Sequence, residues 1–281
     1  VWIGEKKAEP QTGEAPGALE EFQKRIQSLE ARAAEPVWVV LIGHGNAQGR
    51  SPKFALEGPD LSAEDLAKWL ERLDRPVVVV AGFSGSGAFV KPLSGKNRII
   101  VAGTRSGDEE NWVRFSGYFA DAISGTEADW DGDGQVAVFE AWMHAAYAVD
   151  RFYKESGRMV TEHAVLEDSG DGRAVGRELF DPPAPLAVGK NKNAPAPPKI
   201  ADGALARQWS LVTSAVEAAL LPGEREKRQA LEARLAGMRA AKAQRPAEEY
   251  WREVEGVLLE LETVYRAAKA RVSSETPGAL R

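Results

Sequence analysis

Two kinds of chemistry are written into this chain. His44 closes the apolar run VWVVLIGHGN (37–46), with Gly45 after it; Ser84 and Ser86 lie in GFSGSG, directly after the valine run 77–80; Thr104, Arg105 and Ser106 follow RIIVA (98–102). An imidazole moves protons, a serine hydroxyl attacks a carbonyl once a base takes its proton, and glycine-lined backbone N–H groups can hold an oxyanion. The second kind is hard-oxygen coordination. DWDGDGQVAVFE (129–140) satisfies D-x-D-x-D-G with a glutamate at the twelfth place. Asp129, Asp131 and Asp133 would offer carboxylate oxygens, Gln135 its backbone carbonyl and Glu140 a bidentate carboxylate, a set suited to calcium. Gly134 permits the sharp bend and Val136 would pin the loop. No second loop of this pattern stands elsewhere in the sequence, so the spacing predicts a structural staple rather than a sensor.

Ser84, in Gly82-Phe83-Ser84-Gly85-Ser86, is one residue short of the G-x-S-x-G nucleophile elbow. His44 or His163, with Asp150 or Asp168, would complete a triad. Two features weigh against it: Ser86 stands where the elbow needs its second glycine, and Phe89-Val90-Lys91-Pro92 cuts the following helix short. A loop hydroxyl is the plainer reading of Ser84, and His44 read alone is equally a structural residue bonding the loop backbone. His144, in AWMHAAYAV, reads as packed core. Arg105 would meet an anionic ligand or, more plainly, pair with Asp108, Glu109 or Glu110. The acidic turn 167–172 (EDSGDG) is too short to define a site.

Elements of regular period must position these residues. Leu19, Phe22, Ile26 and Leu29 predict a helix over 18–34; Val37–Gly43, Val77–Ala81 and Arg98–Ala102 predict buried strands. Ser62, with Asp65 after it, predicts the start of a helix running to Leu73. Strand, helix, strand, short crossover, strand describes an open parallel sheet, whose ligands sit beyond the carboxyl ends of the strands. That edge would gather His44, the 82–87 turn and the 103–106 loop. Helices are expected at 112–123 and from 140 to about 153, and a strand at 160–166. Beyond Asp181, DPPAPLAVGKNKNAPAPPK reads as an extended linker, and helices are expected at about 204–221, 224–243 and 246–272.

Hydrophobic content of 43% and charged content of 28% are those of an ordinary folded chain of 281 residues. The net charge of −6 is dispersed, with no basic block to argue for nucleic acid, and no apolar run has the length of a transmembrane segment. With no cysteine there is no disulfide, thiolate metal site or thiol nucleophile. The start at Val1 reads as a processed or trimmed product, which favours a secreted or periplasmic protein over a cytoplasmic one.

His-Gly at one strand end (Gly43-His44-Gly45) and Ala81-Gly82-Phe83-Ser84-Gly85-Ser86 at the next, with Ile99–Ser106 behind them, resemble the legumain and caspase type of cysteine peptidase over about 37–172. The resemblance implies a caspase-haemoglobinase-like α/β core with a parallel sheet and flanking helices, spanning 37–180. Around it would lie an N-terminal tether and helix (1–36), a proline-rich linker (181–203), a C-terminal helical bundle (204–273) and a tail (274–281). It implies a substrate pocket at Thr104, Arg105 and Ser106, with His44 and Gly45 as catalytic positions. It also puts Gly82 where that family carries its nucleophilic cysteine. A glycine cannot form the thioester, so the resemblance implies a catalytically inactive homologue that binds a peptide or protein or serves in assembly. An engineered replacement would ordinarily be alanine or serine. Two alternatives stand beside it: a hydrolase using Ser84 or Ser86 with His44, and a docking protein working through its C-terminal helices.

Overall fold

The computed structural model describes residues 17–33, 35–46, 53–180, 202–242 and 245–275. The expected N-terminal tether, the proline-rich linker up to residue 201 and the last six residues lie outside them. In chain order, α1 (Ala18–Ser28) ends six residues short of the expected span. The backbone turns extended at Leu29, and Arg72 Nη2 satisfies the carbonyls left at this end, approaching those of Ile26, Gln27 and Leu29 at 2.6, 2.7 and 2.6 Å. β1 (Val37–Ile42) follows, then β2 (Gly45–Asn46), β3 (Lys53–Phe54) and β4 (Leu61–Ser62), which form a small antiparallel sheet. Ser62 caps α2 (Ala63–Leu70): its hydroxyl accepts the Asp65 N–H at 3.0 Å and donates to the Asp65 carboxylate at 2.6 Å.

β5 (Val77–Gly82) leads through a tight turn and a 3-10 segment (Ser86–Phe89) into α3 (Val90–Leu93), and β6 (Arg98–Ala102) completes the run. Then come α4 (Phe115–Ala122), β7 (Val136–Ala137), α5 (Val138–Ser156), β8 (Val165–Glu167) and β9 (Val175–Gly176). The C-terminal part holds β10 (Ser210–Val212), α6 (Ala215–Ala218), α7 (Pro222–Ala240) and α8 (Ala247–Glu275). Among the described residues, one compact unit takes the chain as far as Ala122 and again from Ala141 to Ala206; the other holds Ile123–Glu140 and the chain from Arg207.

In the first unit the sheet order is β1-β5-β6-β8-β9. β1, β5 and β6 are parallel, with Val37 opposite Val77 and Val77 opposite Arg98; β8 pairs antiparallel with β6, and β9 antiparallel with β8. The expected all-parallel sheet is therefore mixed, and the strand expected at 160–166 begins only at Val165. Every residue of β5 is buried, which is why its sequence is a continuous apolar run rather than an alternating one. Val37, Val39, Leu41, Val77, Val79 and Ala81 share a core with α2 and α3 on one face of the sheet.

In the second unit, the helix expected at 204–221 is reduced to the four residues of α6. β10 pairs antiparallel with β7, Trp209 O accepts the Val138 N–H at 2.8 Å, and Ser214 caps the short α6 by accepting the Glu217 N–H at 3.1 Å. Pairing supplies partners that the backbone around β7 would otherwise lack, and this outweighs the helical spacing of Leu205, Trp209, Val212 and Val216. α7 begins on Pro222, at the first helical position, where the missing N–H has no intrahelical partner to lose. Its Leu231 and Met238 pack with Tyr250, Val257 and Leu261 of α8.

Candidate functional site

At the carboxyl ends of β1 and β5 lies a cleft of about 380 Å³, lined among others by Ile42, His44, Gly82, Ser84, Trp112, Arg114, Ser116, Tyr118 and Asp121. The sequence placed His44, Gly82 and Ser84 at this edge, and the parallel register of β1 and β5 brings them together because Ile42 stands opposite Gly82. The His44 ring is exposed and meets the Trp112 ring edge-on at 5.7 Å between centroids. Gly45 is held close to the next turn: a Cβ there would overlap Ser84 O, and Gly45 N–H donates to Ser84 Oγ at 3.3 Å.

Gly82 has a specific neighbour. The Ser116 hydroxyl donates to Gly82 O at 2.6 Å, and a Cβ built on Gly82 would overlap that hydroxyl and stand 3.0 Å from Ser116 Cβ. The volume a side chain at position 82 would enter is therefore taken by a side chain from the first turn of α4.

The serines differ from each other. Ser84 Oγ lines the cleft and bonds both the N–H and the carbonyl of Gly45, at 3.3 and 3.4 Å. Ser86 is fully buried, 3.2 Å from Thr104 Oγ1, and does not line the cleft. Thr104 is also fully buried; its Oγ1 accepts the Gly87 N–H and donates to Ser106 O. Arg105 pairs with Glu178 at 3.0 Å rather than with a neighbouring acid, and only its backbone N–H reaches Glu109. The 104–106 loop thus braces the 85–87 turn from behind, and none of its residues lines the cleft. His163 Nδ1 lies 2.5 Å from Glu109 Oε1, and Asp150 accepts from Arg177 at 2.8 Å, so neither meets a cleft serine. His144 is half-buried on α5.

The approach to α4 is fixed by Glu162, which is 1% exposed. One of its oxygens accepts the N–H groups of Arg114 and Phe115 at 2.8 and 3.0 Å, and the other takes the Tyr153 hydroxyl at 3.1 Å. Burial pushes its carboxyl above the usual range, while the two backbone donors pull it back. Sequence reasoning missed Trp112, Arg114, Ser116, Tyr118 and Asp121 because 112–123 read as one helix. The helix starts at Phe115, so Trp112 and Arg114 lie on its leading loop. The available signal was the aromatic and charged run before that start.

The acidic loop brings Asp129, Asp131 and Asp133 together, each with a carboxylate oxygen within 4.8 Å of the other two. Gly132 and Gly134 take φ of 74° and 80°, the left-handed turn that glycine adopts without a Cβ penalty. Asp129 accepts the N–H groups of Gly132, Asp133 and Gly134 at 2.8, 3.1 and 2.8 Å, which coils the loop about its own first residue. Glu140, in the first turn of α5, lies outside that group of three. Its oxygens accept the N–H of Trp130 and Ala137, both at 2.9 Å, and of Asp131 at 3.4 Å. Gln135 donates both its N–H and its side-chain amide to Asp133. The donor set is all oxygen and suits a hard divalent cation. Burial, with the neighbouring carboxylates, raises Asp133 and Glu140 above the usual range.

Comparison of the chain with protein-family models, with curated proteins and with solved structures returns no match. The fold and site define the class: a mixed α/β chain with a mostly parallel sheet, a cleft at the strand ends and, on a separate unit, an acidic loop beside a helical hairpin. Among the described residues no helix is long and apolar enough to cross a membrane.

Proposed function

We propose that the cleft binds an extended peptide or protein segment without cleaving it, as a peptidase-like site that has lost its nucleophile. The observation that carries this reading is the Ser116 side chain, which fills the space a nucleophile on position 82 would need. What remains suits binding: Trp112 is 67% exposed beside His44, and Arg114 supplies positive charge next to an apolar wall. The rival serine-hydrolase reading is disfavoured because Ser84 is engaged with the Gly45 backbone and Ser86 is buried with Thr104.

The test is a fluorescence-anisotropy screen of labelled peptides run beside ester and peptide hydrolysis assays. Binding without turnover is expected, and Trp112→Ala should weaken it about tenfold, or ~1.4 kcal/mol. Turnover by the parent that Ser84→Ala abolishes would overturn the reading. Gly82→Cys alone is expected to stay inactive.

In the same reading the 129–140 loop holds calcium through Asp129, Asp131 and Asp133, with the Gln135 carbonyl as a fourth donor and Glu140 ordering the loop from behind. The ion would supply positive charge to three converging carboxylates, a structural contribution.

The docking alternative rests on one observation: Trp251, Leu258 and Leu259 of α8 are 56%, 50% and 62% exposed. Its test is whether Trp251→Ala with Leu259→Ser changes the sedimentation of the full chain.

A further inference from the structure

The outer edge of β1 has no strand beside it among the described residues. Val37 N–H donates to Pro76 O at 2.9 Å, which sets the phase of the strand. Val37, Val39 and Leu41 turn their N–H and C=O toward β5, so Trp38, Val40 and Ile42 turn theirs outward. β1 ends the sheet order, and no described residue bonds those outward groups. The side chains of the same residues are apolar: Val40 is 51% and Ile42 61% exposed, and Trp38 is half-buried. Natural edges are blunted by lysine, proline, inward charge or a bulge. VWVVLI contains no charge and no proline, and it pairs with β5 without a break in register.

We propose that β1 is a dimerisation strand, paired antiparallel with β1 of a second copy about a two-fold axis at Val40. The register follows from the strand itself. With Val40 opposite Val40 of the second copy, Trp38 falls opposite Ile42 of that copy, so outward-facing backbone groups meet only outward-facing ones. Each such pair exchanges two hydrogen bonds. Residues directly opposite in an antiparallel pair share a face, so both apolar strips join into one and the two five-stranded sheets become continuous. The occupant is a second copy because the strand is complementary to itself in this register and no other sequence is needed to satisfy it. Charge agrees: the chain carries −6, yet no like charges meet along this pairing because the strand has none. Ile42 also lines the cleft, so the two surfaces meet at that residue, and the test is therefore made at Val40, which does not line it.

Sedimentation equilibrium of the full chain from roughly 1 to 100 µM is expected to show a reversible monomer–dimer equilibrium. Val40→Lys should weaken it at least ~50-fold, with unchanged circular dichroism and with unchanged melting at concentrations where both chains are monomeric, since the position is half exposed. Val40→Thr, which keeps the β-branch, should retain the dimer. The chain has no cysteine, so Val40→Cys should yield a disulfide-linked dimer on mild oxidation, well above Met159→Cys, whose parent residue is 85% exposed. A chain monomeric at ~100 µM overturns the proposal. So does a dimer indifferent to Val40→Lys, or a Val40→Cys chain that links no better than Met159→Cys.

Discussion

Residues 129–134 (DWDGDG) and 167–172 (EDSGDG) share composition and glycine geometry: Gly132 and Gly134 have φ of 74° and 80°, Gly170 and Gly172 of 81° and 76°. Their carboxylates are used differently. In the first loop Asp129, Asp131 and Asp133 converge. In the second, Glu167 is fully buried, one oxygen accepting the N–H groups of Gly170 and Asp171. Asp168 reaches away to the N–H of Gly203 and of Ala206, both at 2.7 Å. Asp202 answers by accepting the N–H of Asp168 and Ser169 at 2.9 and 3.0 Å. A reciprocal clamp between two chain segments results, with no convergent group of carboxylates. An aspartate–glycine turn becomes a cation site only when its alternate side chains aim inward; the same residues aimed at foreign backbone N–H groups make a tie.

The largest effect expected from this contrast is in the clamp. Asp168→Ala removes the partner of two N–H groups and should cost about 3 kcal/mol in denaturant unfolding. Asp202→Ala should cost about 2 kcal/mol, and the double variant clearly less than the sum because the two act as a unit. Strict additivity would break the idea of a clamp.

Next is the cation. At a hundredfold excess over its Kd, calcium should add about 2.7 kcal/mol, read as a rise in melting temperature. Asp129→Ala should abolish that gain and Asp171→Ala should leave it intact. A calcium response lost in Asp171→Ala but not in Asp129→Ala would reverse the assignment of the loops.

The pH dependence should be smaller. Burial raises Asp168 and Glu162 from 3.8 and 4.5, so for each the folded state holds its proton more tightly than the unfolded chain does. The stability this confers is complete below those ordinary values and is lost as pH rises through the raised ones. Metal-free protein should therefore lose stability on going from about pH 4 upward, and Glu162→Gln should flatten its part of the slope. A slope unchanged in that variant would show that Glu162 does not contribute.

The smallest effect concerns the glycines. Gly132→Ala should cost about 1 kcal/mol, for its positive φ alone, since a Cβ there meets nothing within 4 Å. Gly170→Ala should cost slightly more, as its Cβ would touch the Gly95 backbone at 3.4 Å. A cost at one position and none at the other would remove the geometric likeness on which the comparison rests.

Much of the first unit was legible because a strand buried on both faces leaves little choice of residue: VVVVAG and RIIVA announce themselves, and Ser62 announces α2. Convergence of His44, Gly82 and Ser84 followed from parallel order alone. Two things were hidden for physical reasons. Leu205, Trp209, Val212 and Val216 have helical spacing, yet the pairing of β10 with β7 is a long-range demand that no local window contains. The pocket role given to Thr104, Arg105 and Ser106 assumed that a loop following a strand end faces the ligand. Gly87 instead packs so closely on the Arg105–Ser106 backbone that this loop backs the turn. The clamp at Asp168 was hidden because its partners lie more than thirty residues away.

The contact between Ser116 and Gly82 also makes what position 82 tolerates conditional on position 116. A cysteine at position 82 meets the Ser116 hydroxyl and its Cβ, so that change alone is penalised. Ser116→Gly clears the whole space, so a side chain at position 82 should be tolerated best in that background. Ser116→Ala leaves the Cβ at 3.0 Å and clears only half the way. Positions 82 and 116 are thus coupled, and a double variant at the two should cost clearly less than the sum of its single changes.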